Sequence, residues 1–136
     1  MAFIEKADLY TKILQDELEE ITRGDDTLIT NAISAAEGQI KVYLNDSYDI
    51  DSLLTATGDD RHQFLLQICA DLAVYYLVAR VQAGQDVQDR KDRHDRGIKF
   101  LKMAKDTGTY PDFPRRENTQ QTHISYGGNT KRGNYY

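Results

Sequence analysis

The segment FLLQICADLAVYYLVARV, residues 64–81, is the longest apolar stretch of the chain and decides how the rest is read. Phe64, Ile68, Leu72, Tyr75, Tyr76 and Ala79 fall at the three- and four-residue steps of one helical face. Leu66, Ala70, Ala73, Leu77 and Val81 line the opposite side, so little of this helix can face water. A helix apolar nearly all round is wrapped by others. A membrane span is disfavoured, because the segment carries Asp71 and Arg80. The expectation is an all-α fold: a small bundle of about four main helices around a central helix over residues 61–83.

The flanking sequence supplies the other helices. Ala7 to Leu14 reads as a short first helix with Leu9, Ile13 and Leu14 facing inward. Asp16 with Glu19 matches a capping box opening a second short helix through Ile21. Arg23-Gly24-Asp25-Asp26 is then a break, where glycine ends one helix and an aspartate caps the next. The Arg-Gly-Asp tripeptide is read as that boundary and not as an integrin ligand. From Thr27 to Asn45, Ile29, Ile33, Ala36, Ile40, Tyr43 and Leu44 keep one helical face, and Gly38 marks an expected close helix crossing. Asn45 to Asp60 reads as a loop pinned by Ile50, Leu53 and Leu54, with Asp59 or Asp60 capping the central helix.

After Gly84 the stretch QDVQDRKDRHDR, residues 85–96, is almost wholly polar. Asp86 and Arg90, Asp89 and Arg93, and Asp92 and Arg96 stand four apart with the acid first. Each such pair adds about 0.2–0.5 kcal/mol to an isolated helix. The stretch reads as a solvated or subunit-facing helical start, and the face carrying Asp86, Asp89, Arg90, Asp92, Arg93 and Arg96 is assigned to a neighbouring subunit against the alternative of a solvated intrahelical ladder. Ile98, Leu101, Met103 and Ala104 then return the helix to the core, and Gly108 ends it. The helical domain is thus residues 1–108, followed by an extended tail over 109–136, beginning with Pro111-Asp112-Phe113-Pro114.

Composition narrows the function. The chain has 136 residues and net charge −5, unevenly spread. Residues 1–106 hold 13 Lys/Arg against 20 Asp/Glu, and residues 107–136 hold 4 against 2. An acidic body does not wrap nucleic acid by bulk electrostatics. The single cysteine, Cys69, excludes an intrachain disulfide and reads as a buried small hydrophobe. The start MAFIEKADLY has neither a basic nor an apolar run, so no secretory signal is expected and the protein is placed in the cytoplasm or a particle assembled there. No nucleophile elbow, phosphate loop, zinc-protease helix or paired cysteines occur. His62, His94 and His123 lie in separate segments, and Asp46, Asp49 and Asp51 lack the glycine and glutamate of a calcium loop. No catalytic residue, cofactor or metal is therefore assigned. Asp71, on a mostly buried helix, is expected either to pair with an Arg or Lys of another helix or to face a neighbouring subunit.

Residues 118–136 have too little apolar surface to fold alone. Alternation at His123, Ile124, Ser125 and Tyr126 suits strand addition to a partner, with Ile124 or Tyr126 filling a pocket. Arg115, Arg116, Lys131 and Arg132 would meet acidic surface there, and Tyr135 and Tyr136 would anchor the end. The tail is expected to become ordered only on docking.

Four motifs together resemble a known family. They are Phe3-Ile4 with Asp8-Leu9, the helix from Ile29 to Leu44, the segment Ile68-Cys69-Ala70-Asp71-Leu72-Ala73 running on through Tyr75-Tyr76-Leu77, and Gly97-Ile98-Lys99-Phe100-Leu101. The pattern over residues 3–108 resembles the small helical head–tail connector proteins of tailed phages and prophages, including the Mu-like type. The resemblance implies a virion structural protein at the head–tail joint: a homo-oligomeric ring, commonly of twelve copies, set between the portal protein and a tail or second connector protein. Genomic DNA would pass through its lumen without specific binding, and no membrane is involved. The competing readings are a cytoplasmic helical binding module and a small enzyme regulator.

Overall fold

The computed structural model describes residues 3–80 and 85–116, with only the backbone at Gln85 and Asp86. Six helices run in order: α1 (Lys6–Leu9), α2 (Gln15–Thr22), α3 (Asp26–Leu44), α4 (Ile50–Thr55), α5 (Gln63–Val78) and α6 (Gln85–Thr107). A 3-10 turn, Gly58–Asp60, precedes α5. The all-α expectation holds, and among the described residues the β-structure is one isolated bridge, Tyr48 with Arg115.

Helix α5 is the centre of the bundle. Ten of its sixteen residues are buried, from Leu65 to Val78, and the stripe left less buried runs through Phe64, Gln67, Asp71 and Tyr75. The two other long helices, α3 and α6, pack against it and against each other, while α1 and α2 cover what remains. Truncating a fully buried leucine here, Leu72 for example, should cost about 2–5 kcal/mol. No described helix is long and apolar enough to cross a membrane.

Several local expectations change. The central helix ends at Val78, five residues short of the expected limit, with Ala79 as its C-cap. Its N-cap is His62, whose Nδ1 accepts from the Leu65 amide at 3.2 Å, so neither Asp59 nor Asp60 caps it. Phe64, read as a core position, is 46% exposed because it lies in the first turn, before α5 is fully enclosed. The first helix closes at Leu9, leaving Leu9 and Ile13 buried. Leu14 instead becomes the extended N-cap of α2 and is 74% exposed. Asp16 is consequently inside the helix, and the capping box forms one helix earlier, between Glu5 and Asp8.

The Arg23–Asp26 break is as expected: Arg23 and Gly24 adopt left-handed backbone and the Asp25 carboxylate accepts from the Thr27 amide. Gly38 is not a crossing, since a Cβ there would meet nothing within 4 Å. The close approach is at Gly97, where a Cβ would stand 3.2 Å from Ile68 Cγ2. The stretch 45–60 is less of a loop than its composition implies. Asp49 accepts from the Ser52 amide and caps α4, which buries Ile50 and Leu53. Met103 is exposed, leaving Leu101 and Ala104 to bury the last turns of α6.

The chain does not leave the body at Gly108, whose left-handed backbone ends α6. The Tyr110 amide donates to the buried Tyr48 hydroxyl at 2.9 Å, and that hydroxyl donates to the Ala104 carbonyl at 2.6 Å. Phe113 is 2% exposed, in edge or tilted contact with Tyr48, His62, Phe100 and Tyr110. The expected extended peptide is instead a turn, closed from the Phe113 amide to the Tyr110 carbonyl.

Candidate interaction face

A groove of about 380 Å³ opens between α5 and α6. Its floor is apolar: Phe64 and Ile68 from α5, Gly97 and Phe100 from α6. Phe64 and Phe100 meet edge to face, their centroids 4.8 Å apart at 90°. The two rings come together because α5 and α6 run side by side, and Gly97 lets the helix backbones close on Ile68. The rim is charged, with Arg93 and Arg96 from α6 and the pair Lys12–Asp71, whose Nζ and Oδ1 are 3.6 Å apart. Asp71 thus finds a basic partner, though on the segment between α1 and α2 and not on another helix. Phe100 also touches Tyr110 and Phe113, so the groove floor is continuous with the aromatic cluster that holds residues 109–116.

The structure separates the charged residues on α6. Arg93 and Arg96 are exposed at the groove. Arg90 turns inward and is bound by its own chain: Nη1 donates to the Lys12 carbonyl at 3.0 Å and Nη2 reaches Glu17 at 3.4 Å. Asp92 accepts from Gln88. Lys91 and Asp95, 2.8 Å apart, form an ion pair in the basic-first order. Hydrogen bonds from Lys91, and then from His94, lower the Asp95 carboxyl below its usual range. His94 lies against the Tyr75 and Tyr76 rings. Asp86 falls outside the described side chains.

Of the proposed partner-binding residues, Arg115 and Arg116 are exposed at the corner between α3 and α4. Arg115 forms the bridge to Tyr48, the Pro114 carbonyl accepts from the Asp49 amide, and the Arg116 guanidinium donates to Asn45. Ile124, Tyr126, Lys131, Arg132, Tyr135 and Tyr136 lie outside the described residues. Cys69 is buried, and burial foremost pushes its thiol well above the usual range, so the thiolate needed for nucleophilic chemistry is disfavoured. Among the described residues no three His, Cys, Asp or Glu side chains are grouped to hold a metal ion. The groove itself was not legible in the sequence, because Phe64 and Phe100 look like two ordinary core positions until the helices are placed side by side.

A family model, Bacteriophage Mu, Gp36, matches residues 3–124. The chain belongs to the bacteriophage Mu Gp36 family. That span takes in all six helices, the groove and the bridge at Arg115, and membership makes this a structural or morphogenetic protein of the Mu-like phage type. Comparisons with curated proteins and with solved structures return no match.

Proposed function

We propose that this chain is a non-catalytic connector of the virion, assembling as a ring between the portal protein and a tail or second connector protein. The observation that carries the reading is the family match over a helical body with an exposed, partly apolar groove. A subunit buried in a ring needs apolar surface that a free monomer leaves open, and Leu14, Phe64, Val42 and Met103 supply it. The acidic balance of residues 1–106 suits a lumen past which phosphate slides. The basic residues beyond 107 suit a separate contact with a neighbouring virion protein, led off from the corner where Arg115 and Arg116 are fixed.

Native mass spectrometry of neck complexes released from purified particles tests this. The expected result is a multiple of the 15.6 kDa chain, about twelve-fold, bound with portal protein. A chain found only as a free monomer, and never in particles, would favour the enzyme-regulator reading.

A further inference from the structure

The ring reading leaves open which surfaces of adjacent copies meet. We propose that the α5–α6 groove is a socket for Leu14 and the acidic start of α2 from a second copy of this chain.

Four large hydrophobic side chains are markedly exposed among the described residues: Leu14, Val42, Phe64 and Met103. Phe64 belongs to the groove, so three are available to fill it. The rim decides between them. Arg93 and Arg96 are two cations beside the apolar floor, while the Lys12 charge is already met by Asp71. Val42 and Met103 each follow a lysine, Lys41 and Lys102, and have a single acid one turn on, Asp46 and Asp106, so neither brings a clearly acidic patch to that rim. Leu14 is followed by Asp16, Glu19 and Glu20, all exposed on the first two turns of α2. Glu17 is engaged by its own Arg90 and is not counted.

Leu14 is therefore an apolar knob with acids beside it, and the groove is an apolar socket with arginines beside it. Like charges across an interface cost several kcal/mol, and opposite ones fix register. Leu14 is 74% exposed in its own fold, so the occupant comes from another copy. Each copy carries one knob and one socket, so successive copies can pair head to tail. Contacts of that kind close into rings when the rotation permits.

This inference rests on the ring reading, and the test separates the two. Leu14→Asp removes the knob while supplying a better N-cap for α2, so the variant should fold at least as well. Arg93→Glu with Arg96→Glu reverses the exposed rim. Sedimentation over a wide concentration series should show wild type forming rings, with each variant requiring at least ten-fold higher concentration. An equimolar mixture of the two variants should give a dimer holding one of each, because a single intact contact remains, and nothing larger. If Leu14→Asp assembles within two-fold of wild type, the knob-and-socket pairing is wrong and the connector reading survives. A wild type that stops at a dimer, lost in both variants, keeps the pairing and removes the ring. A wild type that stays monomeric throughout overturns both.

Discussion

Replacing Phe113 by alanine tests whether residues 109–116 belong to the folded body. The ring is 2% exposed and touches Tyr48, His62, Phe100 and Tyr110 at centroid distances of 5.5, 5.1, 6.1 and 4.8 Å. Phe→Ala at such a site costs about 3–5 kcal/mol through lost transfer energy and the cavity left behind. A second route limits that figure. The segment can peel away, regaining about 1–2 kcal/mol of backbone entropy per freed residue and sacrificing the Tyr110–Tyr48 hydrogen bond and the Pro114–Asp49 and Arg116–Ser47 backbone bonds. The cost is the smaller of the two routes, so about 3 kcal/mol is the working value. For a body of this size each kcal/mol moves Tm by about 3–6 °C, which gives a fall of about 9–18 °C. Amide exchange separates the routes: peeling exposes the Asp49 and Arg116 amides, whereas a closed cavity leaves them protected. A Tm within 2 °C of wild type, with both amides as protected as before, would refute the assignment of this segment to the core.

Three further outcomes follow from particular contacts. Arg90→Ala should destabilise the isolated chain by about 1–3 kcal/mol in denaturant titration, because the Lys12 carbonyl and Glu17 lose their donor; an effect confined to oligomerisation would return Arg90 to the subunit face. Burial raises the Glu37 carboxyl above its ordinary range. The folded state thus prefers the protonated form, and stability is lost as pH rises from the unfolded value of about 4.5 through the raised one. Glu37→Gln should accordingly match or exceed wild-type Tm at pH 7 and lose that advantage near pH 4; the reverse order would contradict the sign. Deleting residues 118–136 should leave the body's Tm nearly unchanged and abolish incorporation into particles, as scored by protein content of purified virions; normal incorporation would exclude the docking role of the tail.

The sequence exposes what depends on local periodicity and hides what depends on tertiary placement. Helix α5 is legible because its apolar run is long and leaves only a narrow stripe for solvent, and α3 because Ile29, Ala36, Ile40 and Leu44 keep strict spacing. The glycine at 108 and the break at 23–26 are legible from backbone chemistry alone. Helix α4 was concealed: Asp49, Asp51 and Ser52 look like turn residues, and only Ile50 and Leu53 mark its buried side. The outward turn of Leu14 is hidden in the sequence, because two adjacent aliphatic residues, Ile13 and Leu14, cannot both point inward where the chain is extended. Spacing places Arg90 with Arg93 and Arg96, yet the Lys12–Glu17 segment passes on its side of α6 and draws it away. The groove could not be read in advance, since each half carries only part of its floor.

The position of the protein in the particle bears most directly on the connector role. Antibody labelling of purified virions, viewed by electron microscopy, should mark a single spot per particle at the joint between head and tail. Label spread over the capsid or along the tail, or particles free of the protein, would contradict that role.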